Sequence, residues 1–217
     1  MTKSHYNKHY YKWQEKAGKY VAQQDVWMYQ KYIHAKDVVL DFGCGGGYLL
    51  EKFNCKSKHG IDINLYARNT AVKKGIRVYE NIEKIPRKVK FDVIISHHTL
   101  EHTTQPFEIL KKLFKRLKAK GIIICVVPID DWRNQKKYAS GDINQHLFTW
   151  TPLLLGNLFV NAGFRVKEIN IILRAWLPFS RFYYSYIPKD LYNFLSDIWS
   201  RIIRSRQIRI IAVRKTS

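Results

Sequence analysis

The chain has 217 residues, of which 46% are hydrophobic and 14% aromatic, so it can bury a folded core and wholesale disorder is excluded. Its 38 lysines and arginines against 17 acidic residues give a formal net charge of +21. This charge favours polyanionic partners such as nucleic acid, anionic lipid or phosphorylated substrates, although a merely solvated basic surface is an alternative interpretation. The longest apolar run, Ile122 to Ile129, is too short for a membrane span, and no secretory signal is seen. The three cysteines predict a reducing cytosol rather than a disulfide framework.

Hydrophobic patterning predicts an α/β fold in which strands and helices alternate along the chain. Residues 1–36 are crowded with aromatics and lysine and predict an N-terminal helical cap. Strands are predicted at 37–42, 58–63, 76–79, 91–96, 122–127, 164–173 and 207–214. Helices are predicted from Tyr48 onward, at 65–74, at 106–118 with Gly121 as the stop signal, and at 151–162. Apolar strands interleaved with helices are typical of a mostly parallel sheet covered on both faces.

Residues 174–206, between the last two predicted strands, are too many for a simple connection. They carry six basic and two acidic residues, and an aromatic run precedes Pro188. After Pro188, a helix is predicted from apolar residues at helical spacing: Leu191, Phe194, Leu195, Ile198 and Ile202, with Tyr192, Trp199 and Ile203 widening the stripe. Three interpretations stay open: the stripe packs on the sheet or a second subunit, lies on an anionic membrane, or binds RNA.

A glycine-rich turn joins the first predicted strand to the following helix, with Gly43, Gly45 and Gly47 in the turn. Glycine lets the backbone approach a ligand closely, and the helix N-terminus offers free N–H groups. The dinucleotide fingerprint requires a further glycine where Tyr48 stands. Asp41, just before the turn, would oppose a pyrophosphate and suits a ligand with a cationic amino group. Asp62, 17 residues after Gly45, ends the next strand and is positioned to accept hydrogen bonds from a ribose.

These motifs, in this order from about Asp37 to Gly163, resemble those of the class I S-adenosylmethionine (SAM) dependent methyltransferases. Residues 41–47 are similar to the family's first motif, 59–63 to its ribose-binding acidic loop, and 91–102 to its fourth-strand motif. The resemblance implies a Rossmann-like, seven-stranded, mostly parallel sheet with helices on both faces and an antiparallel last strand. It also implies a single methyltransferase domain over 1–217, comprising a cap (1–36), a cofactor-binding core (37–173), an aromatic and basic insertion (174–206) and a last strand (207–217).

The resemblance further implies SAM as the cofactor. The residues expected to bind it are Asp41, Gly43, Gly45, Gly47, Asp62, Ile63 and His97. Many family members have an acid after the third strand, at the adenine. Here Glu80-Asn81-Ile82-Glu83 occupies this region, and Asn81 or Ile82 is the expected adenine contact.

The methyl acceptor is expected beside residues 97–102, because ligands of such sheets bind at the carboxyl ends of the strands. A hydroxyl nucleophile requires a base, and imidazole is the side chain with an ordinary pKa near neutrality. His97, His98 and His146 are therefore the candidate catalytic residues. In the alternative interpretation, His97 packs against the cofactor and Glu101-His102 braces the following helix.

A metal site is a further alternative for the same segment. His98, Glu101 and His102 share one face of a helical turn, and His146 could approach from the loop after the fifth strand. The arrangement is similar to the Glu-x-x-Glu-His and distant His of small-RNA 2′-O-methyltransferases, with His98 in place of the first Glu. Because residues 146–151 also resemble a stretch of metal-free relatives, no residue is assigned as a metal ligand.

The sequence thus predicts a cytoplasmic, SAM-dependent methyltransferase. We expect it to O-methylate a sugar, a glycolipid or another small molecule, and to associate peripherally with the anionic inner face of a membrane. An RNA methyltransferase, with or without a metal, and a catalytically silent SAM-binding scaffold are the alternatives. RNA is the less favoured partner, and the sequence leaves the acceptor atom and oligomeric state open.

Overall fold

The computed structural model describes residues 8–131, 133, 135–173, 175–184 and 186–215, without the side chains of residues 181 and 182. Seven strands in this part of the chain form one sheet in the order β3-β2-β1-β4-β5-β7-β6. β7 runs antiparallel to both of its neighbours, and the other pairs are parallel, which confirms the predicted fold class. The strands are β1 (Val38–Phe42), β2 (Ser57–Ile61), β3 (Arg77–Tyr79), β4 (Phe91–His97), β5 (Leu117–Ile129), β6 (Phe164–Ile172) and β7 (Arg206–Arg214).

Helices cover both faces of this sheet and bury two apolar clusters against it. One cluster lies under α5 and α6, with Leu110, Leu113 and Phe159 fully buried. The other lies under α2, α3 and α4, where Met28 and Leu50 are fully buried. The helices are α1 (Lys8–Gln24), α2 (Trp27–Gln30), α3 (Tyr48–Glu51), α4 (Leu65–Val72), α5 (Pro106–Arg116), α6 (Pro152–Asn161), α7 (Ser180–Tyr183) and α8 (Lys189–Ile203), with 3₁₀ turns at Ile82–Lys84 and Leu100–His102.

The prediction that Gly121 ends the fifth helix is wrong. α5 ends at Arg116, and Gly121 lies inside β5. A Cβ atom at Gly121 would stand 2.4 Å from Leu117 Cδ2 and 3.0 Å from the carbonyl oxygen of Phe91. The β4–β5 register shifts at this level, so glycine serves the close approach of two strands rather than a helix stop.

The amphipathic helix predicted in the insertion is present as α8, but its orientation differs from the expectation of packing on this chain's sheet. Its buried residues are Tyr192, Ser196 and Ser200. Phe194 is 62% exposed and Ile202 is 65% exposed, and most of the predicted stripe faces outward with them. Tyr192 therefore belongs to the buried face, not to the stripe.

Polar contacts hold the inner face of α8. The Ser196 hydroxyl donates to the Ala175 carbonyl at 2.7 Å, and the hydroxyls of Tyr20 and Tyr192 are 2.7 Å apart. The second of these contacts ties α8 to α1. Within the described residues, no helix combines the length and apolar character that crossing a membrane requires.

Candidate functional site

A cavity of about 670 Å³ opens at the carboxyl ends of β1, β4 and β5, a volume typical of small-molecule sites. The strand register brings these ends to one edge, since Asp41 lies opposite both Gly60 of β2 and Ile95 of β4. α1 and the insertion form the rest of the wall. Its lining includes Trp13, Gln14, Trp176 and Arg206.

The three glycines of the turn have positive φ angles, and each meets different surroundings. At Gly43 (φ +85°), a Cβ atom would lie 2.0 Å from Thr99 Oγ1, and at Gly47 (φ +75°) it would lie 2.4 Å from Ile76 Cδ1. These two positions need glycine because of neighbouring protein atoms. A Cβ atom at Gly45 (φ +51°) would have Gln14 Oε1 as its nearest contact, 4.0 Å away. This side of the Gly45 backbone therefore borders the open cavity.

Asp41 lines the cavity as a buried acid, 3% exposed, and its Oδ1 has no hydrogen-bond partner among the described residues. Burial, followed by the negative charge of Asp62, raises the pKa of Asp41 to about 8. A cationic ligand group beside this carboxyl would satisfy the oxygen and favour its ionised form. Asp41 and the open backbone at Gly45 thus fit SAM, whose methionine part carries an ammonium group.

Asp62 lies behind the turn and braces it. Its Oδ2 accepts from the Gly45 N–H at 2.8 Å and its Oδ1 from the Asn64 N–H at 2.8 Å, while burial raises its pKa. The other predicted cofactor residues on this side are Ile63, which is 47% exposed, Asn81, which caps a 3₁₀ turn by accepting from Lys84 N–H, and Ile82, which packs in the core. None of these four predicted residues is part of the cavity lining.

His97 ends β4 and His98 follows it, and their rings stack at the cavity with the centroids 4.5 Å apart. His97 Nδ1 is 2.8 Å from the Tyr29 hydroxyl and its Nε2 is 3.5 Å from Asp25 Oδ2. Burial, together with the charge of His98, lowers the pKa of His97 well below its ordinary value. His98 has a positive φ of 49°, and its Nε2 is 2.9 Å from Gln207 Oε1. Burial lowers the pKa of His98 to about 4, although its hydrogen bond with Gln207 opposes the shift.

A second polar group lies beside these histidines, around the 3₁₀ turn and the loop after β5. Glu101 is fully buried, and His102 and His146 stand edge to face, with ring centroids 4.9 Å apart. His146 Nδ1 is 2.9 Å from Asp130 Oδ2. The structure therefore brings His97, His98 and His146 to one cavity, as the sequence analysis expected. Asp130 was not predicted from the sequence, although it directly follows β5, at the strand ends where ligands of such sheets bind.

The chain is similar to known proteins in both sequence and fold. A family model described as a methyltransferase domain matches residues 14–169. The ubiquinone biosynthesis O-methyltransferase of Rickettsia bellii (strain OSU 85-389) is 30% identical over 125 residues, which cover 52% of this chain and 50% of that protein. The chain thus spans about half the length of the curated relatives it matches.

Two solved structures extend the fold comparison over most of the chain. A SAM-dependent methyltransferase from Archaeoglobus fulgidus superposes with a TM-score of 0.62 at 20% identity, covering 90% of this chain and 94% of that one. A phosphoethanolamine N-methyltransferase of Haemonchus contortus, solved with SAM, superposes with a TM-score of 0.62 at 15% identity, covering 89% of this chain and 53% of that one. At these identities the likeness concerns the fold.

Proposed function

This chain belongs to the class I SAM-dependent methyltransferases, and from that premise we propose that it transfers the methyl group of SAM to a hydroxyl of a small-molecule, glycan or lipid-linked acceptor at an anionic membrane surface. The observation that carries the proposal is the single cavity shared by the glycine turn, Asp41 and the histidines after β4. The name of the similar Rickettsia protein supports oxygen as the acceptor atom.

The glycine turn and two acids would hold SAM, which supplies a methyl group activated by a positively charged sulfur. Asp41 binds the amino group, because its buried and unpartnered oxygen gains most from a cation. Gly43 and Gly47 shape the turn so that the Gly45 backbone faces the ligand. Asp62 fixes Gly45 and accepts from the ribose with its remaining lone pairs. Ile63, Asn81 and Ile82 stay the proposed contacts of the adenosine end, although they lie outside the cavity lining.

Methyl transfer is an in-line displacement, so the acceptor oxygen has to be held on the far side of the methyl group from sulfur. We assign the acceptor to the wall formed by Asp130 and His146. His97 and His98 each have a ring nitrogen engaged by another side chain, Tyr29 and Gln207 respectively, which suits them to orient the ligands. Asp130 holds Nδ1 of His146, so Nε2 is the ring nitrogen of His146 that remains to act on the acceptor side.

Membrane association is proposed from the outward apolar face of α8. Six of its apolar residues are at least 37% exposed: Leu191, Phe194, Leu195, Ile198, Ile202 and Ile203. Arg201 and Arg204 are exposed near its C-terminal end, and Arg206 follows at the cavity. An apolar helical face flanked by arginine is typical of helices that lie in the interface of anionic lipid, and the net charge of +21 adds long-range attraction. The same segment borders the cavity, so a lipid-linked acceptor would enter from the membrane, at its cytoplasmic face.

Vesicle sedimentation tests the membrane part of the proposal. The variant Phe194→Glu/Ile202→Glu removes two exposed apolar side chains, and its matched control is Leu153→Glu on α6, where Leu153 is 72% exposed. We expect the double variant to bind phosphatidylglycerol-containing vesicles at least about tenfold more weakly, since each buried apolar side chain contributes about 1.5–3 kcal/mol. The control should bind like the native chain, and pure phosphatidylcholine should bind weakly. Equal binding by the double variant would contradict the proposal.

Transfer of labelled methyl from SAM into separated lipid, RNA, protein and small-molecule fractions of a cell extract tests the reaction. Label in the lipid, glycan or small-molecule fraction, lost in Asp41→Asn, is the expected result. Label confined to RNA, with binding that weakens steeply with salt, would replace the proposal with RNA methylation. SAM binding without label in any fraction would favour a silent scaffold.

A further inference from the structure

Three potential metal ligands converge at the acceptor side of the cavity. One ligand atom from each of Glu101, His102 and His146 lies within 4.8 Å of the others. Glu101 and His102 come from the 3₁₀ turn after β4, and His146 comes from the loop that follows β5. The backbone joins the two segments, because the Leu147 N–H donates to the Glu101 carbonyl at 2.9 Å. The spacing is therefore fixed by the fold and not by chance contact of mobile side chains.

Two members of this cluster have buried polar atoms without hydrogen-bond partners among the described residues. They are both carboxylate oxygens of Glu101, which is 0% exposed, and Nδ1 of His102. Glu101 Oε1 is 3.8 Å from His102 Nε2, which is beyond hydrogen-bonding distance. A buried polar group without a partner is destabilising, and more so when it carries a charge. A bound cation would satisfy the carboxylate and would take a ring nitrogen of His102 as a ligand.

A carboxylate already stands where a metal-binding histidine needs one. Histidines that bind metals almost always donate their second ring N–H to a carboxylate, a carbonyl or water, which fixes the ring and its tautomer. Asp130 Oδ2 is 2.9 Å from His146 Nδ1, so His146 is held with Nε2 as its remaining ligand atom. This contact is an observation independent of the convergence of the three ligands.

We propose that Glu101, His102 and His146 bind a divalent transition-metal ion, with Asp130 orienting His146, and that the ion binds the acceptor oxygen. Two imidazoles with one carboxylate favour Zn²⁺ or a similar first-row ion over Mg²⁺ and Ca²⁺, which prefer oxygen ligands. His102 and His146 line the cavity, so a fourth coordination position would face it, as in catalytic zinc sites.

His98 is outside this set, although its spacing in the sequence suggested it as a ligand. Its Nε2 faces Gln207 at 2.9 Å and its backbone N–H donates to the Val126 carbonyl, which turn the residue toward β5 and β7. The structure thus distinguishes two neighbouring histidines that sequence spacing treats alike.

The metal site adds a way to activate the acceptor hydroxyl, and this role rests on the proposed function. When bound, the ion would lower the pKa of an acceptor hydroxyl, so that the hydroxyl would lose its proton more readily than in water. The acceptor oxygen then forms the new bond to the methyl carbon, the carbon–sulfur bond breaks with its electron pair on sulfur, and the hydroxyl proton is released to water. Metal binding itself is measurable without the reaction.

The test is titration of the metal-free full chain with Zn²⁺ by calorimetry, repeated with Co²⁺ by visible absorption. We expect one ion per chain in the native protein. Glu101→Gln, His102→Gln and His146→Gln should each weaken binding at least about tenfold, and Asp130→Asn by about tenfold as an outer-shell change. His98→Gln is the matched control, the same substitution four residues from His102, and should bind the metal like the native chain.

Circular dichroism and the thermal shift caused by SAM establish that each variant is folded. No binding of Zn²⁺ or Co²⁺ by the native chain would overturn the proposal, as would equal loss of binding in His98→Gln and His146→Gln. Binding retained in His102→Gln/His146→Gln would assign the ion to another site and also overturn it. If the metal binds as expected and no fraction accepts methyl label, the proposed function fails while the metal site stands.

Discussion

Replacing Asp41 by Asn should stabilise the SAM-free protein while impairing its binding of SAM. Burial, and then the charge of Asp62, raises the pKa of Asp41 from 3.8 to about 8 in the folded chain. The unfolded chain releases that proton at its ordinary pKa. Between these two values the folded state binds more protons, so the free energy of unfolding falls as pH rises. Asn has nearly the same shape and does not titrate, so the free energy of unfolding of the Asp41→Asn variant does not fall in this way.

The magnitude follows from the gap between the two pKa values. At pH 7 about 3 units of the gap apply, equivalent to about 4 kcal/mol at 1.36 kcal/mol per unit, and at pH 5 about 1 unit applies, equivalent to about 1.5 kcal/mol. The new amide has hydrogens without a partner, which costs about 1–3 kcal/mol at either pH. The diagnostic quantity is therefore the change in the difference between variant and native chain, about 2–3 kcal/mol in favour of the variant from pH 5 to pH 7.

Urea denaturation followed by tryptophan fluorescence at the two pH values measures this quantity. The control is Asp92→Asn on the neighbouring strand β4, because the hydrogen bonds of Asp92 to Lys118 and to the Val38 N–H lower its pKa against the effect of burial. In that control the difference between variant and native chain should be nearly the same at pH 5 and pH 7, because Asp92 is already ionised in both the folded and the unfolded chain above its ordinary pKa. A difference between Asp41→Asn and the native chain that is the same at pH 5 and pH 7 would refute the reasoning. So would full retention of the thermal stabilisation by SAM.

Two further predictions concern the turn and the contact between α1 and α8. Gly43→Ala should lower the free energy of unfolding by about 2 kcal/mol or more, and Gly45→Ala by about 1 kcal/mol, because both place alanine at positive φ but only the first forces Cβ against Thr99. Gly45→Ala should weaken SAM binding, and equal destabilisation of the two variants in urea would contradict this account. Tyr20→Phe removes the 2.7 Å contact with Tyr192 and should lower the free energy of unfolding by about 1 kcal/mol. Limited proteolysis should then cut the segment around α8 faster than in the native chain. An unchanged cleavage rate would oppose the prediction.

The order of the elements and the cofactor turn could be predicted from the sequence, because their signals are local. Apolar runs separated by helical periodicity give the alternation of strands and helices. Every predicted strand is found within two residues of its expected bounds, except that β5 begins five residues earlier than predicted. The positive φ angles of Gly43, Gly45 and Gly47 follow from the same local logic, since few other residues adopt them. The resemblance to the family then predicted that the last strand of the sheet, β7, is antiparallel.

The tertiary structure decided which distant groups meet and which faces are buried. Asp130 and His146 are 16 residues apart, and only the folding of the loop after β5 brings them together beside Glu101. The sequence around Gly121 predicted the end of a helix, but the close approach of β4 to β5 is what requires glycine at this position. In α8, periodicity established that two faces differ, and it could not tell which one turns inward. Hydrogen bonds from Ser196 to the Ala175 backbone and between Tyr20 and Tyr192 selected the polar face, because a buried hydroxyl needs a partner that only another segment can provide.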